Sequence, residues 1–174
     1  WFADHFIPPG ANKEQEALTA FEGLTAIAAV AGMTKKLRLG NLVLGNTYRN
    51  PAHAAKIAGT IDSISEGRFT LAIGAGWYQR EHEAYGWDFP SMKERQDRFE
   101  EACQLIRLLI RSDDPVDYSG KYYQLDQARL FADTDRCAES TDRCRRKATP
   151  AHSGESGHAW VVPSRHMPLV HESQ

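Results

Sequence analysis

Residues 37–86 read LRLGNLVLGNTYRNPAHAAKIAGTIDSISEGRFTLAIGAGWYQREHEAYG. Leu37–Leu44 is an almost unbroken apolar run, the composition of a parallel strand covered on both faces. It ends in a polar cluster, Gly45-Asn46-Thr47-Tyr48. Asn50 can cap a following helix with Pro51 at its first position, and Ile57, Ile61 and Ile64 fall on one face of it. Ser65-Glu66-Gly67 ends that helix, Gly67 suiting a left-handed C-terminal residue. A second apolar strand, Phe69–Ile73, runs into Gly74-Ala75-Gly76-Trp77. Strand, helix, strand, with the unusual residues at the C-terminal strand tips, is how an α/β barrel places an active site. The chain starts the same way: Trp1-Phe2-Ala3, read as the end of a strand, leads into Asp4-His5-Phe6.

The surroundings suit such an enzyme. The 174 residues are 41% hydrophobic and 25% charged, with a net charge of −2, an ordinary globular balance. It offers no basic surface for nucleic acid or for an anionic membrane. The longest apolar-leaning stretch, Leu24–Met33, is well short of the roughly 20 residues of a membrane span. Three cysteines, Cys103, Cys137 and Cys144, do not make a disulfide framework. The default location is therefore cytoplasmic. The partner expected is a small-molecule substrate, with a homodimer as an option.

Further elements extend the pattern. Glu14–Ala31 reads as one helix, with Leu18, Phe21, Leu24, Ile27 and Ala28 at helical spacing and Gly32 as its stop. Gln79–Glu94 is a polar segment in which Glu81, His82 and Glu83 suit a solvated loop or a rim hydrogen bond better than a metal site. Asp97–Arg111 is an amphipathic helix with Cys103 on its apolar side, and Val116–Leu125 is a hairpin turning at Ser119-Gly120.

The character changes after Phe131. Ala132–Ala159 contains no Leu, Ile, Val, Met, Phe or Tyr, so it cannot bury enough apolar area to offset its ordering entropy. Two segments follow: residues 1–131, a partial barrel, and residues 132–174, a non-barrel tail. The tail is either disordered or the product of a changed reading frame; read one base later, compatible codons spell an apolar strand with a Gly-Gly tip. A metal site from Cys137, Cys144, His152 and His158 fits no compact zinc spacing.

WFADHFIPPG, TKKLRLGNLVLGNTYRNPAHAAKIAGTIDSISEGRFTLAIGAGW, EHEAYGWDFPSMKERQDRFEEACQLIRLL and the SGKYYQL hairpin together resemble the luciferase-like monooxygenases, particularly the branch using coenzyme F420. The resemblance implies a (β/α)8 TIM barrel, present here from the end of strand 2 to helix 4 with a β-hairpin after it. It implies hydride transfer between coenzyme F420 and a small organic substrate. An FMN-dependent monooxygenase acting with O2 is one alternative, and a catalytically inactive barrel fragment is another.

Asp4 and His5 match the family's Asp-His pair, in which the histidine serves as acid or base; a structural hydrogen bond at a strand end is the plainer reading. Leu42-Val43 falls where the resemblance implies a non-proline cis peptide behind the coenzyme ring, while plain barrel core would use the same residues. Asn46 and Thr47 are candidates for the ring edge or only for the turn. Gly74-Ala75-Gly76 fails the dinucleotide fingerprint because position 79 is Gln79, so Gly74 and Gly76 suit close approach to a flat cofactor. Trp77 either walls the pocket or packs under the next loop. Arg49 is free to hold an anionic group or a carboxylate, whereas Arg95 and Arg98 are expected to pair with neighbouring carboxylates. His53 is expected at the surface.

Overall fold

The computed structural model describes residues 1–16, 20–130 and 159–162. Its centre is β3, Phe69–Gly74, six residues all buried. Helices α2 (Gly23–Met33), α3 (Pro51–Ile64) and α5 (Met92–Arg111) pack with this strand in a shared apolar core. Leu24, Ile27, Ala54, Ala58, Ile61, Phe99, Leu105 and Ile106 join Leu71 and Ile73 in one core.

Two short strands run parallel to β3. They are β1 (Leu39–Gly40) and β2 (Leu44–Gly45), with Leu39 opposite Phe69 and Leu44 opposite Ile73. Outside β1, Phe2 bridges Asn41 in parallel, Phe2 N donating to Gly40 O and Leu42 N to Phe2 O. Three consecutive parallel segments, joined through helices, are successive units of an α/β barrel. The single strand expected over Leu37–Leu44 is thus interrupted. Between the paired positions this strand has one residue more than β3, which makes a bulge. The bulge holds a cis peptide at Leu42-Val43, at the position the resemblance implied. Asn41 reconnects the ladder with its side chain: Nδ2 donates to Ala72 O at 2.5 Å and Oδ1 accepts from Ala72 N at 3.2 Å.

The helix expected over Glu14–Ala31 is two. The first, α1, is Lys13–Glu16, and α2 starts only at Gly23. Glu22 is extended and caps α2, accepting from Leu24 N and Thr25 N. Phe21 lies off the apolar stripe, 88% exposed, and Leu18 falls outside the described residues. Gly23 is required because a Cβ there would stand 2.7 Å from Ala3 O. Gly32 lies inside α2 and does not stop it; Thr34 does, its hydroxyl donating to Val30 O.

Asn50 caps α3 with Pro51 at its start, and Gly67 takes φ +81° after its end, as read from the sequence. Arg68 then ties the entry of β3 to its surroundings by donating to Ser65 O, Leu37 O, Ala31 O and Thr34 O. The polar segment after β3 folds as α4 (Gln79–Tyr85), ended by Gly86 at φ +70°. Helix α5 begins five residues before the expected Asp97, capped by Ser91. Cys103 is buried in the core, and that burial, with the charge of Glu100, pushes its thiol up to about 12.

The hairpin is β4 (Val116–Ser119) and β5 (Gln124–Ala128). Glu101 of α5 fastens its turn by accepting from Tyr122 N and Tyr123 N. The other edge of β3 pairs antiparallel with β6 (Ala159–Val162), Leu71 opposite Val162 and Gly74 opposite Ala159. The remainder of the segment 132–174, with Cys137, Cys144, His152 and His158, lies outside the described residues. No helix among the described residues is long and apolar enough to cross a membrane.

Candidate active site

The C-terminal tips of the three parallel segments open into one cavity of about 430 Å³. Ligand pockets commonly enclose about 300–1,000 Å³. Seven of the nine residues expected at the site line it: Asp4, His5, Leu42, Val43, Gly74, Gly76 and Trp77. Sequence reasoning missed Tyr48, Met92 and Gln96, which line it together with Leu44, Gly45 and Ala75. The bulge gives Leu42 its place: in a regular buried strand it would be core, yet it is 59% exposed and lines the cavity.

Asn46 and Thr47 are the exceptions. Asn46 is buried, its Nδ2 donates to Tyr123 Oη at 3.2 Å, and it lines a neighbouring depression instead. Thr47 also serves the fold, its hydroxyl lying 2.7 Å from His82 Nε2. Gly76 is explained by the same contact. It has φ +82°, and a Cβ there would land on the Thr47 side chain, so its lack of a side chain is needed by the turn whether or not a ligand approaches. Trp77 is 62% exposed at the cavity wall, edge-on to His5 and stacked on Tyr78. It does not pack under the following loop.

Asp4 is tied down from every side. Arg49 grips it with two nitrogens, at 2.6 and 2.9 Å, and Gly45 N donates to it at 2.9 Å. Burial is the largest influence on its carboxyl and holds it above the ordinary aspartate range, against the pull of Arg49. Arg49 also pairs with Glu22, so it is a carboxylate partner. The Asp-His pair therefore divides its labour: Asp4 anchors the strand tip to β2, and His5 faces the cavity with its side chain 24% exposed.

The partner of His5 is Glu81, a residue the sequence placed in a solvated loop or at a rim. It is fully buried, as is His82. Helix α4 turns both inward, and the polar composition of the segment concealed this. Glu81 Oε1 accepts from Phe6 N at 2.6 Å and Ile7 N at 2.9 Å. Its Oε2 accepts from the Tyr48 hydroxyl and lies 3.1 Å from His5 Nδ1. Burial and the Glu81 carboxylate push the Tyr48 phenol far up, so it remains a donor. Around them Phe6, Tyr48, Tyr85 and Trp87 pack ring against ring, which excludes water from the carboxylate. Arg98 pairs with Glu94 as expected, but among the described residues Arg95 pairs with no carboxylate: it donates to Gly76 O and Pro90 O, bracing the β3 tip. His53 is exposed. Among the described residues no group of three or more His, Cys, Asp or Glu side chains could hold a metal.

The luciferase-like monooxygenase family matches residues 1–141. The chain belongs to this family. Among its relatives are F420-dependent glucose-6-phosphate dehydrogenases. That of Amycolatopsis mediterranei is 37% identical over 132 residues, 75% of this chain and 38% of the relative. That of Mycobacterium avium is 31% identical over 164 residues, 93% of this chain and 47% of the relative. The chain thus spans less than half the length of these luciferase-like relatives. A similar solved structure is an F420-dependent secondary alcohol dehydrogenase in complex with an F420-acetone adduct, with a TM-score of 0.63 and 29% identity over 76% of this chain and 39% of that one.

Proposed function

We propose that the chain carries the coenzyme and proton-transfer side of an oxidoreductase that moves a hydride between coenzyme F420 and a small organic substrate. The observation that carries this reading is the composition of one cavity: Leu42 and Val43 on one side, the backbone of Gly74-Ala75-Gly76 on another, and the partly exposed His5 at its edge. An apolar surface beside bare backbone fits a flat ring, and the volume suits one. Leu42, Val43, Gly74 and Gly76 would hold the ring, with Trp77 at its border.

When bound, the deazaflavin supplies the carbon that gives or accepts a hydride. The residues of the chain do the rest. His5 is held by Glu81 at Nδ1, which leaves its second nitrogen for the proton that accompanies hydride transfer. An alcohol that loses a hydride from carbon must also lose its hydroxyl proton, and His5 accepts it; in the reverse direction His5 returns it to the carbonyl oxygen. Asp4 and Arg49 fix the backbone on which His5 stands. The relatives named above, an alcohol dehydrogenase and sugar-phosphate dehydrogenases, support this substrate class.

The test is a fluorescence titration of the full chain with coenzyme F420 and, separately, with FMN. Saturable binding of F420 is expected, weakened at least about tenfold by Leu42→Glu, which buries a charge against the ring. FMN binding in its place would favour the monooxygenase chemistry of other family members. Binding of neither would mean that this chain is an inactive barrel fragment that keeps the site without its use.

A further inference from the structure

We propose that Glu81 is the positioning residue that sets His5 in a single tautomer and so fixes which ring nitrogen exchanges the proton. This rests on the reading of His5 as the proton-transfer group. Glu81 is fully buried at the start of α4, 76 residues from His5 in the chain. Two backbone amides, Phe6 N and Ile7 N, donate to its Oε1. Amides can only donate, so Oε1 is fixed as an acceptor. The Tyr48 hydroxyl donates to Oε2. Both oxygens lie within 3.2 Å of His5 Nδ1. With only acceptors facing it, Nδ1 must carry the hydrogen.

The neutral ring then keeps its lone pair on Nε2. Among the described residues none hydrogen-bonds that nitrogen, and His5 lines the cavity, so Nε2 is left to an occupant. The amides lock the carboxylate, the carboxylate locks Nδ1, and Nε2 is presented as the proton acceptor. A glutamate needed only by the fold would be satisfied by the two amides and Tyr48. The additional contact with a partly exposed histidine points to a task beyond folding.

The test is the imidazole nitrogen-15 spectrum of the full chain, recorded without coenzyme above the histidine titration range. The seven histidines are sorted by the signal that His5→Asn removes. His5 is expected with hydrogen on Nδ1. In Glu81→Gln the amide oxygen stays with Phe6 N and Ile7 N, and an NH2 group faces His5. Nδ1 then becomes an acceptor and the hydrogen moves to Nε2. Turnover with coenzyme F420 is expected to fall about 100-fold, with the dissociation constant of the coenzyme unchanged. Tyr48→Phe removes a donor from Glu81 but keeps the carboxylate, so His5 should retain its Nδ1 hydrogen. If Glu81→Gln does not fold, the wild-type and Tyr48→Phe spectra decide. Hydrogen on Nε2 in the wild type, its loss from Nδ1 in Tyr48→Phe, or an unchanged tautomer in folded Glu81→Gln would overturn the proposal. The tautomer needs no coenzyme, so a failed coenzyme titration counts against the hydride-transfer reading and not against this one.

Discussion

Glu22 acts on two neighbours at once. It caps α2 through Leu24 N and Thr25 N and pairs with Arg49 at 2.9 Å. Burial pushes its carboxyl up, but the hydrogen bonds from Thr25 and Leu24 and the charge of Arg49 outweigh this and hold it below its ordinary value of 4.5. A carboxyl lowered in the folded chain contributes stability that is complete above its unfolded value and fades as pH falls through the folded one. Glu22→Gln should therefore cost about 1 kcal/mol near neutral pH and progressively less below pH 4.5. Urea unfolding at both ends of that window measures it, and an equal cost throughout would contradict the assignment. Gly76 makes a second case at this scale. Alanine there meets both a positive φ and the Thr47 side chain, for an expected loss of about 2 kcal/mol. Thr47→Ala removes the obstacle but leaves His82 Nε2 without its partner. The double variant should consequently lose less than the two single losses combined, by about 1 kcal/mol.

Among the elements, the interrupted strand β1–β2 decides the site. Asn41 stands in an apolar run where leucine would look better by composition. Its side chain is nevertheless what pairs the N–H and C=O of Ala72 across the bulge. Asn41→Leu should leave two buried backbone groups unpaired and cost about 2 kcal/mol or more, read from the denaturation midpoint. A stabilised variant would mean that the bulge is not held by this residue. The strand itself was legible, because continuous burial leaves a continuous apolar signature. The bulge was not, because one polar residue in such a run breaks no period. Helix α3 was legible from its cap, its Pro51 and its terminal Gly67, all local signals. The division before α2 was hidden because Leu18 and Phe21 happen to keep helical spacing with Leu24 and Ile27. Glu81 and His82 were misplaced for a different reason. Their burial comes from Phe6, Ile7, Thr47 and Tyr48, remote in sequence, so nothing in the segment Gln79–Glu94 announces it. The residues at the strand tips were legible because position at a tip is itself the signal.

At the scale of the molecule, β3 is the element on which everything converges, and its two edges are served differently. One edge pairs in parallel with β1 and β2, as successive barrel units do. The other pairs antiparallel with Ala159–Val162. A six-residue strand of almost wholly apolar composition is hazardous with an open edge, because its unpaired N–H and C=O groups would accept a strand from another chain. The four residues of β6 therefore act as a cover, and the register Leu71 with Val162 to Gly74 with Ala159 reaches the strand tip beside the cavity. A chain ending at His158 removes this cover and leaves the three parallel segments intact. It should run as larger species than the full chain on size exclusion, increasingly so with concentration, while its helix signal in circular dichroism is retained. Proline in place of Trp160, opposite Ile73, removes one ladder donor without shortening the chain, because Ala72 turns its own N–H and C=O toward Asn41 and the hydrogen-bonded pairs of the β3–β6 ladder are its neighbours. It should shift the distribution in the same direction but less far. If both variants elute as the full chain does, the edge is protected by something other than β6.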